Sequence, residues 1–247
     1  MRRVLAALLL ALLAAGGAAA QEGALVARLS TERVAVTTAF TGESLLVFGS
    51  TEEPIGPGGD EVVIVARGPT APFVVRRKVQ VLGMWFNGPS ARFDEVPGFY
   101  AIAGTRPVWR LLPEAVREAN ALGLDALPLL SSGARAPAFR AALLDLKRDS
   151  GLWQEDNAQV DIAGQRLFSI RVPLPSTVPA GAYSVEVYLV RSRRIVATEY
   201  LGFEVARVGN AAWIEELARR QPVIYAMLCI VLAALAGWLG SVLFRRS

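Results

Sequence analysis

From Pro222 to Phe244 the chain reads PVIYAMLCIVLAALAGWLGSVLF, 23 positions without a charge. At about 1.5 Å per helical residue this stretch reaches roughly 35 Å, enough to cross a hydrocarbon layer of about 30 Å. Arg219 and Arg220 precede it, and Arg245 and Arg246 follow it. Tyr225 and Trp238 stand near its ends, where amphipathic rings suit the interface. The pattern predicts one transmembrane helix over 222–244 and a short tail over 245–247.

The apolar segment at the start is of another kind. Arg2 and Arg3 open it, Val4–Leu13 form its apolar middle, and Ala18-Ala19-Ala20 supply a small-residue exit. That order predicts a secretory signal over 1–20; the alternative is an uncleaved N-terminal anchor. Export would place 21–221 on the periplasmic face of a bacterial inner membrane, with the C-terminus in the cytoplasm. The arginine pairs on either side of 222–244 are evenly matched, so the positive-inside tendency leaves the orientation to the signal.

Between the two apolar segments the chain alternates in short β-type runs separated by turn residues: Ala24–Leu29, Arg33–Phe40, Leu45–Gly49, Glu61–Arg67, Phe73–Val81, Met84–Asn87 and Phe99–Ala103. After residue 158 come Gln159–Ile162, Arg166–Pro173, Ala182–Val190, Arg194–Glu199 and Leu201–Val208. Ser184–Val190 sets Val185, Val187 and Leu189 against Ser184, Glu186 and Tyr188, the period of a strand. The middle changes period. Pro107–Asn120 and Ala134–Leu152 space their apolar residues as helices do. In Pro179-Ala-Gly-Ala-Tyr183, proline fixes φ and Gly181 permits positive φ, a tight turn that resembles one in immunoglobulin-like sandwiches. The predicted fold is mainly β: an antiparallel immunoglobulin-like β-sandwich over 21–208, a two-helix insertion at about 107–152, and one C-terminal transmembrane helix. A juxtamembrane helix is expected over 209–221, with Asn210 as its N-cap and Trp213, Ile214 and Leu217 on one side.

Charge and composition narrow the chemistry. Of 26 basic residues, four (Arg2, Arg3, Arg245 and Arg246) lie in the signal and tail, and the remaining 22 equal the 22 acidic ones. A neutral exported domain gives no support to nucleic-acid binding. Cys229, the single cysteine, falls inside the predicted span, so no internal disulfide can form. With no histidine, Ser-His-Asp and Cys-His catalysis and His-based metal sites are ruled out. The adjacent acids Asp60-Glu61, Asp94-Glu95 and Glu155-Asp156 read as turn residues rather than a catalytic pair. Asp156, Asn157 and Asp161 lack the EF-hand pattern, and Gly56-Pro-Gly-Gly59 lacks the lysine of a phosphate loop. No enzyme activity, cofactor or metal is expected.

Two clusters remain. Arg76, Lys78, Trp85, Asn87 and Tyr100 bring cations, an amide, an indole and a phenol onto neighbouring predicted strands. Three readings stay open for them: a basic edge strand guarded against aggregation, contact with a protein or anionic lipid headgroups, and a small-oxyanion site. In the apolar span, Cys229, Ala233, Gly237 and Ser241 recur every four residues and put small side chains on one helix face. Such a face allows a second membrane helix to approach closely, in a transporter or a second copy of the chain. The competing reading is that alanine and glycine are simply abundant here.

Several short motifs recur together in order: Phe40-Thr-Gly42, Val75-Arg-Arg-Lys78, Gly83-Met-Trp-Phe-Asn87, Pro97-Gly-Phe-Tyr100, Pro173-Leu-Pro175, Pro179-Ala-Gly-Ala-Tyr183, Gly237-Trp238 and Phe244-Arg-Arg246. With them the chain resembles the alphaproteobacterial putative transmembrane protein family over nearly its whole mature length. The resemblance implies a signal, an exported domain and a C-terminal span, with no established activity. It also implies a neighbourhood of sulfite or organosulfonate exporters, and hence an accessory role.

Overall fold

Val62 to Ala66 form an unbroken run of buried aliphatic side chains. Successive side chains on a strand point to opposite faces, so such a run needs cover on both sides of its sheet. The computed structural model describes residues 24–244 apart from 38, 134–136, 157–159, 210–213 and 215–216. The expected signal, the tail, Asn210 and Trp213 therefore lie outside the described residues.

In chain order the elements are β1 (Leu25–Leu29), β2 (Arg33–Val36), β3 (Gly42–Thr51), β4 (Glu61–Arg67), β5 (Thr70–Val81), β6 (Met84–Pro97) and β7 (Tyr100–Gly104). Two short helices follow, α1 (Val108–Leu111) and α2 (Glu114–Ala119), then β8 (Ser131–Gly133), α3 (Pro137–Asp149), β9 (Trp153–Glu155), β10 (Val160–Ala163), β11 (Leu167–Pro175), β12 (Gly181–Arg191), β13 (Arg194–Arg207) and α4 (Pro222–Phe244).

The strands make three sheets, ordered β1-β3-β11-β10, β2-β13-β12-β4-β7-β9 and β5-β6-β8. The six-stranded sheet is the middle layer. One face packs on the four-stranded sheet: Val62, Ile64, Ala66, Val185, Val187 and Leu189 meet Leu45, Val47, Phe168, Ile170 and Val172. The opposite face is covered by the helical segment and the base of β5–β6, where Val63, Val65, Tyr100 and Ile102 meet Leu111, Leu122, Leu143, Phe93 and Trp153. β4 lies where both cores meet, which explains its composition.

The fold is mainly β, as its pattern predicts, and the Pro179–Tyr183 turn carries the sandwich-like signature. The Tyr183 hydroxyl donates to the Pro179 carbonyl at 2.5 Å, the backbone tie of a tyrosine corner. Other particulars differ from the sequence reading. β2 pairs with β13, and β9 with β7, in parallel. The first expected helix is two pieces, because Leu112 is extended (φ −126°, ψ 142°) before Pro113, and a residue preceding proline is driven out of the helical region. The two runs expected at 194–199 and 201–208 are one strand, β13. β8 is a three-residue strand inside the helical segment, paired to β6.

Residues 217–220 are helical and lead into α4. The Gln221 amide donates to Leu217 O, and Tyr225 to Gln221 O, both at 3.0 Å. Pro222, which has no amide hydrogen, thus falls where the hydrogen-bond ladder passes through the residues around it.

Candidate functional site

The most exposed apolar surface outside α4 is a two-stranded arm. β5 and β6 pair from Thr70↔Pro97 out to Val81↔Met84. Near the body Val75, Ala91, Phe93 and Val96 are buried. Further out, Gly88 and Pro89 together oppose Arg77 alone, so the register shifts between Arg76↔Ser90 and Lys78↔Asn87. This bulge accommodates a proline within a long strand. Gly88 is needed there: a Cβ would come within 2.9 Å of a Val79 methyl and 3.0 Å of the Arg77 carbonyl. From Lys78 to Asn87 every residue except half-buried Val79 is exposed.

The end of the arm is a two-residue turn, Leu82 (φ 51°) and Gly83 (φ 82°). Positive φ at both positions is what a type I′ turn demands. The directly opposed pairs Val81↔Met84 and Val79↔Phe86 place four apolar side chains on one face; Gln80↔Trp85 and Lys78↔Asn87 occupy the other. Leu82 is 94% exposed, Trp85 65% and Met84 60%.

Of the sequence-derived cluster, Lys78, Asn87 and Trp85 share that second face of the arm. Arg76 lies on the body side of the bulge, beside a groove of about 450 Å³ lined by Val75, Arg77, Pro89, Ala138, Phe139 and Ala142. Tyr100 is elsewhere, buried on β7, where its hydroxyl donates to Ala121 O and accepts from the Gly123 amide, both at 2.9 Å. Burial holds its phenol well above the ordinary value. Four of the five residues thus belong to the arm or its base, while Tyr100 anchors the loop after α2. What the sequence reading passed over is the apolar crest Val81, Leu82, Met84 and Phe86. Its signal was visible in a Leu-Gly turn with hydrophobic residues on both sides.

A second concavity, about 700 Å³, opens at the edge of the middle sheet between Trp109, Arg117, Asp125, Arg148, Glu155 and Asp156, with Trp153 among its lining residues. One Arg117 terminal nitrogen contacts both Asp125 oxygens at 2.8 Å. Arg117 Nε and Gln154 Oε1 are buried without hydrogen-bond partners among the described residues. Burial, then the nearby Asp125 and Asp156, push the Glu155 carboxyl up; burial does the same for Asp156. A raised folded-state value means that the native state holds the proton more tightly than the unfolded chain. This contribution therefore favours folding below the ordinary carboxylate range and is lost as pH rises through the raised value. Glu155→Gln is expected to increase thermal stability at pH 7 and to lose that advantage near pH 4. The Glu155 side chain is 32% exposed, so solvent screening keeps the gain below about 1 kcal/mol. Paired melting curves at the two pH values test the sign. Among the described residues no group of three or more acids or cysteines is arranged to hold a metal.

The third surface is α4. Its 20-residue stretch Pro222–Ser241 has mean hydropathy 2.3 and none of it is buried against the rest of the chain. Cys229, Ala233, Gly237 and Ser241 lie along one side by their spacing, all exposed. A Cβ built at Gly237 or Gly240 meets nothing within 4 Å. By length and composition α4 is able to cross a bilayer.

A layered β domain joined to one exposed apolar helix of spanning length is the plan of a single-anchor membrane protein. Residues 24–246 match the family model described as "Putative transmembrane protein (Alph_Pro_TM)", and the chain belongs to that family. No curated protein matches it.

Proposed function

We propose that the protein is a non-catalytic, membrane-tethered accessory module, exported to the periplasmic face of the inner membrane and serving a membrane assembly there. The β5–β6 arm is its docking element. The observation that carries this reading is the arm's apolar crest, which the protein's own fold leaves uncovered. The small-residue face of α4 supplies a second contact, to a helix of the same assembly; a sulfite or organosulfonate exporter suits the family resemblance.

Two measurements on native membranes test it. In a Cys229→Ser background, Leu82→Cys is expected to resist a water-soluble maleimide while Ser192→Cys, at the turn between β12 and β13, reacts freely. Equal, rapid reaction at both positions would remove the arm as a docking element. Gly237→Leu, at a position where an added Cβ meets nothing within 4 Å, is expected to reduce recovery of co-purifying membrane proteins in mild detergent. Unchanged recovery would remove the α4 contact.

A further inference from the structure

We propose that the arm docks on the lipid bilayer itself, its apolar tip inserted at the interface and its cations held by anionic headgroups. This rests on the reading of the arm as a docking element and names what that element touches.

The tip has the composition of an interfacial anchor. Leu82 and Met84 are exposed at its end, with Trp85 and Phe86 just behind them. From the turn back to the Val79↔Phe86 pair is about three residues, or roughly 10 Å at strand rise. That matches the depth of about 5–10 Å to which interfacial apolar faces are buried. Lys78 and Arg77 come next along β5, where a headgroup layer would begin, and Arg76 follows. Each of the three is exposed, and none makes an ion pair among the described residues. Phosphate oxygens are the complementary partner for these unpaired cations.

The backbone supplies an independent argument. Leucine with positive φ is unfavourable, and a turn of this kind ordinarily takes Asn or Gly at that position. The β12–β13 hairpin of the same chain also has positive φ at both turn residues, Ser192 (51°) and Arg193 (63°), but there both are polar and flanked by Arg191 and Arg194. At the arm the turn instead presents an almost fully exposed isobutyl group. Such a side chain gains nothing from folding, whereas its transfer into lipid is favourable.

The tether permits the contact. Residues 208–216 separate β13 from the helical stretch that leads into α4, and nine residues at full extension span at most about 32 Å. Twelve residues of β5 extend about 40 Å. The arm is long enough to reach the surface that the anchor crosses.

The full-length protein carrying Cys229→Ser and Leu82→Cys, labelled with an environment-sensitive dye, is reconstituted without any other protein in phosphatidylglycerol–phosphatidylcholine vesicles. Blue-shifted emission, quenching by lipids brominated in their chains, and maleimide reactivity about tenfold below that of Ser192→Cys are expected. Changing Arg76, Arg77 and Lys78 together to glutamine is expected to restore most of that reactivity; unchanged protection would overturn the headgroup assignment. Protection in native membranes with free reaction in pure-lipid vesicles would mean a protein partner, overturning the lipid proposal and leaving the docking reading intact. Free reaction in both overturns both.

Discussion

Trp153→Ala is expected to destabilise the domain by about 4 kcal/mol, the scale for emptying an aromatic site that cannot collapse. Trp153 is 1% exposed and stands on β9, the parallel edge strand of the middle sheet. Its ring packs in the second core, and its Nε1 donates to the Pro97 carbonyl at 3.0 Å. Truncation therefore leaves a cavity and also a buried carbonyl without its donor. The loss corresponds to a drop of about 10 °C in melting temperature for a domain of this size. Trp153→Phe keeps much of the volume and loses the hydrogen bond, so it is expected to cost about 2 kcal/mol. Melting followed by circular dichroism in nanodiscs distinguishes the two. If both substitutions cost the same, the hydrogen bond rather than the packing dominates the site.

Arg67→Ala ranks next, at about 3 kcal/mol. Arg67, at the end of β4, pairs with Glu186 on β12, and both side chains are largely buried. It also donates to the carbonyls of Asn120 at 2.8 Å and Ala121 at 3.3 Å, and its guanidinium lies 6.0 Å from the centre of the Tyr100 ring. Tyr188 donates to the same Glu186 carboxylate. Removing the cation strands a carboxylate in the second core and frees the loop that Tyr100 holds through Gly123. Replacing both partners by apolar residues, Arg67→Met with Glu186→Leu, is expected to cost less than Arg67→Ala alone, because no uncompensated charge remains. Hydrogen exchange at Gly123 should accelerate in Arg67→Ala. A loss under about 1 kcal/mol with Gly123 still protected would mean that water satisfies Glu186.

How far these features could be read from residues depends on whether the signal was local. The span 222–244 declares itself by length and absence of charge, and Pro179-Ala-Gly-Ala-Tyr183 by two residues with special backbone preferences. β12 is legible as a strand, but its alternation separates Glu186 and Tyr188 from the valines without saying what covers them. They face the second core, because the helical segment between residues 108 and 149, distant in the chain, covers that side. The warning lay in β4, whose five consecutive aliphatic residues have no solvent face. The β-type run Met84–Asn87 covers only the start of β6, because Gly88 and Pro89 break the strand pattern; in the structure they form a bulge and the strand runs on to Pro97. Among the candidate residues, Arg76, Lys78, Trp85 and Asn87 lie on adjacent strands of the arm, a proximity that their closeness in sequence makes legible. The position of Tyr100 is not legible in the same way, because nothing in the local sequence says which sheet β7 joins.

β13 leads from the middle of the domain toward the membrane helix. It is bonded along its length to β12 and, at its last residues Glu204–Arg207, also to β2. A pull on the anchor along that strand loads these hydrogen bonds side by side in shear rather than one after another as a zipper. Glu204 adds a 2.9 Å contact to Arg33 at the loaded end. The domain is thus joined to its anchor through a strand whose hydrogen bonds to two neighbours share an axial load.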